Sequence, residues 1–174
     1  LNSILPRSIA VKEIFEVSPE YNSRYNATKR TYHYFIHTHK NPFLRLHSYE
    51  YPHHTLRLDL MAQAAEELLN YSEFLPLIKL DKEKGKTSCT LFSSKIECIE
   101  PHYYRYEISA NRFLHNMVRR IVGMLILIGR EKLSLDEFRE SMQNQTPMRL
   151  INLAPANGLH LVHIEYPFLN HAKI

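Results

Sequence analysis

An apolar segment with embedded arginines, residues 113–129, constrains this chain more than any other feature. Its apolar side chains recur at helical spacing, which predicts a helix from about Phe113 to Ile128, stopped by Gly129. At about 100° per residue, one wedge of about 140° on this helix collects the polar side chains and one glycine. These are Arg112, His115, Asn116, Arg119, Arg120 and Gly123. Because the rest of the surface is apolar, the helix is expected to be mostly buried.

The arginines of this wedge need a partner. Burying an unpaired guanidinium costs several kcal/mol, so the wedge must face water, a carboxylate or a phosphate. Acidic residues of the same fold are one alternative, and an external anion is the other. The wedge carries no carboxylate of its own three or four positions away, and Gly123 leaves room for close approach. Both features favour an external anion.

Composition permits a polyanionic partner without requiring one. The 174 residues include 22 Lys and Arg against 18 Asp and Glu, a net charge of +4. This length suffices for one domain with a core. We expect neither a membrane span, since no apolar run approaches about 18 residues, nor a secretory signal. Cys89 and Cys98 are predicted to be two reduced core thiols, as in a reducing compartment.

The remaining pattern predicts alternating strands and helices. Expected strands are Ile9–Val17, Arg30–Thr38, Thr87–Ile99, Tyr103–Ala110 and Leu159–Tyr166. Expected helices run from a cap at Asp59 to about Asn70, and from a capping box at Ser134–Glu137 to about Gln143. The segments 41–54, 79–86 and 147–158 are predicted loops. From Arg30 onward, and with one short helix inserted, the order predicts an α+β fold, an antiparallel sheet with helices on one face, in the β-α-β-β-α-β order of ferredoxin-like domains.

Aromatic and basic residues converge on the strand predicted at Arg30–Thr38. Tyr32 and Tyr34 share one face, and Lys29 and Arg30 lie at its start. Aromatic rings beside cations suit base stacking and phosphate contact, although tyrosines also simply cover sheets.

Histidines occur in pairs, His37 with His39 and His53 with His54. Neither pair has a cysteine or carboxylate at ligand spacing, so no metal site is predicted.

Three segments together resemble the later motifs of the tRNA pseudouridine synthase A family. They are YNATKRTYHY at 25–34, FLHNMVRRIVG at 113–123 and APANGLHL at 154–161, in the family's order. The opening LNSILP at 1–6 resembles the segment that joins the two halves of these enzymes. We therefore expect residues 1–24 to be a connecting strand and linker, and residues 25–174 to be the C-terminal synthase domain.

The resemblance implies a cofactor-free isomerisation of uridine to pseudouridine in the anticodon arm of tRNA, with the target base flipped out of the stack. By motif position, Tyr32 resembles the tyrosine that contacts the flipped base, and Arg119 the arginine that pairs with a catalytic aspartate. Leu159 would lie in the wall beside them. Expected RNA contacts are Arg24, Lys29, Arg30, Arg112, His115, Asn116 and Arg120. The family also implies a cytoplasmic homodimer without a metal or a membrane anchor.

The chain departs from the family where the nucleophile is concerned. The arginine-threonine-aspartate signature of the family is absent, and Asp59, Asp81 and Asp136 lack its context. Because the chain also begins without methionine, we expect a fragment that is inactive alone and whose parent supplies the aspartate. Smaller departures are Glu73, where the family has aspartate, and His160, where it has an aromatic residue.

Two other functions remain open at this point. One is a stand-alone RNA-binding module of ferredoxin-like topology, although Tyr103–Ala110 lacks the Gly-Phe pattern of such modules. The other, a ligand-binding regulatory domain, leaves the cationic wedge unexplained.

Overall fold

One sheet and three helices organise the residues that the computed structural model describes, which are 1–52, 56–78, 87–148 and 152–169. The strands are β1 Lys29–His37, β2 Tyr49–Glu50, β3 Leu91–Glu100, β4 Tyr103–Ala110 and β5 Leu159–Glu165. The helices are α1 Leu58–Glu67, α2 Met117–Gly129 and α3 Leu135–Asn144. Short 3-10 turns lie at Leu68–Asn70, Leu75–Leu77, Ala156–Gly158 and Pro167–Leu169.

Strand β1 is central. It pairs antiparallel with β4 on one side, while β5 and then β2 line its other side. Strand β3 pairs with β4 and forms the far edge. The order β5-β1-β4-β3 and its antiparallel pairing confirm the expected α+β fold. The prediction missed β2, a parallel strand inside the expected loop, because two residues are too short to show a period.

The core lies between the helices and one face of the sheet. Tyr34 and Ile36 of β1 and Tyr106 and Ile108 of β4 are almost fully buried, whereas the residues between each pair, Phe35 and Glu107, are only partly buried. The apolar side chains of α2 join them in one cluster. Burial of each large apolar side chain stabilises the fold by about 1.5–3 kcal/mol.

Helix α2 begins four residues later than expected. Asn116 has a left-handed backbone with φ of 58°, a conformation that asparagine tolerates but that interrupts a helix. Arg112, His115 and Asn116 therefore precede the helix, and the six-residue wedge predicted on it is wrong. The expected end at Gly129 is confirmed. A Cβ at Gly129 would lie 2.5 Å from Met61 Sδ, so the glycine permits close approach of α1.

Three other local predictions are wrong. Residues 9–17 form no strand and are mostly exposed, because no neighbouring strand pairs with them. Arg57, not Asp59, is the N-cap of α1, since the Asp59 carboxylate accepts hydrogen bonds from the Arg57 guanidinium. Cys98 is exposed and only Cys89 is a core thiol.

The capping box at the start of α3 is confirmed. Ser134 Oγ accepts from the Glu137 backbone N–H at 3.1 Å, and the Glu137 carboxylate accepts from the Ser134 N–H at 2.8 Å.

Some predictions fall outside the described residues. They concern His53 and His54, the 79–86 loop with Asp81, and part of the 147–158 loop. Within the described parts, no helix is long and apolar enough to cross a membrane. No group of three or more His, Cys, Asp or Glu side chains there is arranged to hold a metal ion.

Candidate active site

The candidate site forms where the first turn of α2 meets the segment before β5. The Arg119 guanidinium donates from Nε to the Ala154 carbonyl at 2.6 Å. The Ala154 N–H in turn donates to the Arg119 carbonyl at 3.2 Å. These two bonds fix both the side chain of Arg119 and the path of the chain that faces it.

Tyr34 fixes the same segment from β1. Its hydroxyl donates to the Pro155 carbonyl at 2.7 Å, and its ring is fully buried. Burial raises the pKa of Tyr34 above its ordinary value, the neighbouring Tyr49 adds to this, and the charge of Arg119 opposes it. Tyr34 therefore stays neutral and serves as a hydrogen-bond donor.

A glycine allows the segment to lie against β1. A Cβ at Gly158 would lie 2.7 Å from the Phe35 carbonyl oxygen and 2.8 Å from the Tyr34 ring. Leu159 follows directly and pairs with Tyr34 across the sheet. The half-buried Leu159 side chain is thereby placed beside the tyrosine.

Tyr32 lies two residues before Tyr34 on the same face of β1. It is half-buried, and its ring meets the Phe113 ring edge-on with centroids 5.2 Å apart. In the neighbouring strand β5, Tyr32 pairs with Leu161, whose side chain is exposed. Tyr32 thus forms the accessible end of the tyrosine row, while Tyr34 forms the buried end.

Arg119 lacks an acidic partner in the described part of the chain. It is half-buried and forms no ion pair with any described residue. Its neighbour Arg120 is also half-buried, and Arg120 Nε has no hydrogen-bond partner among the described residues. Neither guanidinium group is therefore neutralised by a carboxylate among the described residues.

Comparison with known proteins assigns the chain to a family. A family model described as tRNA pseudouridine synthase matches residues 64–167. The chain belongs to the tRNA pseudouridine synthase family.

The similar relatives are synthases of one type. A tRNA pseudouridine synthase A from Bacteroides fragilis is 39% identical over 96% of this chain and 66% of its own length. One from Bacteroides thetaiotaomicron is 36% identical over 96% of this chain and 62% of its own length. A tRNA pseudouridine synthase A 2 from Bacillus anthracis is 31% identical over 95% of this chain and 68% of its own length. The chain thus spans just under two thirds of the first relatives, and the resemblance drawn from the three motifs is confirmed.

The basic residues predicted to contact RNA occupy different environments in this chain. The Arg30 guanidinium donates to the carbonyls of Ala27, Asn111 and Arg24, so it joins the start of β1 to the chain before α2. Lys29 forms an ion pair with Glu165 at 3.1 Å. Both cations are engaged within the fold, and their RNA contacts stay a prediction.

The other predicted RNA contacts are more open. Arg24 is exposed and lies over the Tyr25 ring, 5.6 Å from its centroid. Arg112 and His115 are exposed, and Asn116 is half-buried. The bonds of Arg30 to the carbonyls of Arg24 and Asn111 bring the segment of Arg24 and the residue before Arg112 to the same end of β1.

The uncharged parts of this candidate site that hold Arg119 in place could not be identified from the sequence. Arg119 is positioned by the Ala154 carbonyl, and Tyr34 holds the same segment through the Pro155 carbonyl. No sequence pattern marks a backbone carbonyl as a hydrogen-bond acceptor for a particular side chain. The spacing of Tyr32 and Tyr34 did indicate a shared face, but which of the two is buried depends on the approach of Gly158.

Proposed function

We propose that this chain is the C-terminal part of a tRNA pseudouridine synthase that isomerises uridine in the anticodon stem-loop. One observation carries the proposal. The Ala154 carbonyl holds Arg119 in place, and no residue that the structure describes pairs a carboxylate with it. Family membership and the printed names of the relatives support tRNA as the substrate.

The chemistry needs an ionised carboxylate at the sugar. An aspartate attacks or assists at C1′ while the C1′–N1 bond breaks, and the freed uracil rotates so that C5 faces C1′. A C5–C1′ bond then forms, and any aspartate–C1′ bond formed in the first step breaks. A base accepts the proton from C5 and N1 gains a proton, so the product is an isomer of the substrate. A guanidinium beside the aspartate lowers its pKa and keeps it ionised in a dry site.

The residues around Arg119 suit the remaining tasks. Tyr32 offers a half-buried ring to a flipped uracil, with Leu159 in the adjoining wall. Tyr34 is a positioning residue, because it holds Pro155 next to the carbonyl that orients Arg119. Arg120, Arg112 and Arg24 supply charge for the RNA backbone.

The aspartate is proposed to come from sequence outside these 174 residues. Among the described aspartates, Asp59 pairs with Arg57 and Asp136 with Arg139 at 2.8 Å, and neither pairs with Arg119. The chain alone is then inactive, and the complete protein is proposed to be a cytoplasmic homodimer without a cofactor.

The test is tritium release from tRNA labelled at uridine C5, with the complete protein. Arg119→Ala is expected to reduce the rate by at least about a hundredfold, the size of loss seen when one electrostatic contact to a reacting group is removed. Arg119→Lys keeps the charge but not the fork geometry and should also be impaired. Arg130→Ala, an exposed arginine at the far end of α2, is the matched control and should retain the rate. Full activity of Arg119→Ala would contradict the proposal.

A further inference from the structure

The loop between β1 and β2 presents an aromatic side chain that the fold does not use. We call residues 39–48 the β1–β2 loop. Phe43 at its tip is 91% exposed, and Leu46 is 75% exposed. Exposure of a whole phenylalanine ring forfeits about 1.5–3 kcal/mol of burial, so the fold gains nothing by placing it there.

The tip of the loop is held by its own hydrogen bonds. Asn41 Oδ1 accepts from the Phe43 N–H at 3.0 Å, and the Asn41 carbonyl accepts from the Leu44 N–H at 3.1 Å. A second turn follows, in which the His47 N–H donates to the Leu44 carbonyl at 3.0 Å. The ring of Phe43 is therefore presented by a defined turn and not by an unstructured chain.

The base of the loop is attached to the candidate active site. Asn157 Nδ2 donates to the carbonyls of Ser48 at 2.7 Å and Arg45 at 3.2 Å. His160 Nε2 lies 2.8 Å from the His47 carbonyl. Asn157 belongs to the same short segment whose Ala154 and Pro155 carbonyls hold Arg119 and Tyr34. The position of the loop is thereby tied to that of Arg119.

The charge of the loop indicates the partner. Lys40 and Arg45 flank Phe43 and are exposed, and no Asp or Glu occurs between Thr38 and Tyr49. An aromatic ring between two cations is the arrangement that binds unpaired nucleotides, with the ring against a base and the cations near phosphates.

We propose that Phe43 stacks on an unpaired base of the RNA beside the uridine that enters the site, with Lys40 and Arg45 near the adjoining phosphates. The inference rests on the proposed function for the identity of the RNA. It adds a stacking residue on a different element from Arg119 and Tyr32. By occupying the space next to the flipped nucleotide, the ring would hold the RNA loop open.

The test measures binding of an RNA hairpin that carries the anticodon loop of a substrate tRNA to the complete protein. Phe43→Ala and Phe43→Leu are each expected to weaken binding about tenfold, because stacking requires an aromatic face. Phe43→Tyr keeps that face and should bind within about twofold of the wild type. Phe92→Ala removes an exposed phenylalanine from β3, at the opposite edge of the sheet, and is the matched control with unchanged affinity.

The possible results separate this inference from the proposed function. Wild-type affinity for Phe43→Ala would overturn the stacking role. Equal affinity for Phe43→Leu and the wild type would also overturn it, by showing that the contact with RNA needs no aromatic face. In either case, loss of tritium release in Arg119→Ala would leave the synthase proposal standing. Conversely, weakened hairpin binding by Phe43→Ala in a protein that releases no tritium would retain the stacking and reject the synthase activity.

Discussion

A methyl group added at Gly158 should damage both the stability and the site of this protein. The new Cβ of Gly158→Ala would lie 2.7 Å from the Phe35 carbonyl oxygen and 2.8 Å from the Tyr34 ring. Neither neighbour can yield easily, because one is sheet backbone and the other is a fully buried ring. Overpacking costs about 1–3 kcal/mol, and removing a glycine from the unfolded chain returns about 0.4–1 kcal/mol. The net loss of unfolding free energy is therefore between about 0 and 2.6 kcal/mol, with a central value of about 1.3 kcal/mol.

Urea denaturation of the complete protein measures this loss, and tritium release measures its consequence for the site. Gly129→Ala is the matched control, since its Cβ would meet the Met61 side chain, which can rotate, and lies away from Arg119. We expect Gly158→Ala to lower the rate per folded molecule as well as the stability, because the segment that orients Arg119 must shift. Gly129→Ala should leave the rate per folded molecule unchanged. A Gly158→Ala protein with wild-type stability and rate would refute this account of the close contact.

Two smaller predictions concern stability alone. Burial lowers the pKa of His37 below its ordinary 6.5. Because the unfolded chain then binds a proton more readily than the folded protein, the unfolding free energy should fall as the pH drops below 6.5. Urea titrations between neutral pH and a pH of about 5 should show this decrease of the unfolding free energy with falling pH, and a smaller decrease for His37→Gln. The same decrease in His37→Gln and the wild type would contradict the prediction. Ser134→Ala removes half of the capping box and should cost about 1 kcal/mol in urea denaturation, against no change for the exposed Ser3→Ala. Equal stability of the two serine variants would show that the box contributes nothing.

The sequence predicted those parts of the fold that depend on periodicity and local chemistry. Strand Tyr103–Ala110 and the capping box at Ser134 follow from alternation and side-chain hydrogen bonding, which act within a few residues. The start of α2 was wrong because a single left-handed residue, Asn116, overrides an apolar pattern that continues through it. The strand expected at 9–17 was wrong because alternation supplies no pairing partner.

In the candidate site, too, the residues could be predicted from the sequence, whereas their long-range contacts could not. The conflict between charge and burial drew attention to three arginines of the α2 region, and the resemblance to the family singled out Arg119 among them. Its orientation could not be predicted, since it depends on the Ala154 carbonyl, 35 residues away in the chain. Lys29 and Arg30 carried the same basic signal as Arg112, yet only the fold shows that Glu165 and three carbonyls engage them.

The most direct test of the central claim is one distance in the crystal structure of the complete protein. Arg119 is proposed to complete an active site with an aspartate that these 174 residues do not supply. In that structure, we expect an oxygen atom of an aspartate outside these 174 residues to lie within about 3 Å of a terminal nitrogen of Arg119. An Arg119 guanidinium that instead faces only solvent, or pairs with an acidic residue of this chain, would contradict it.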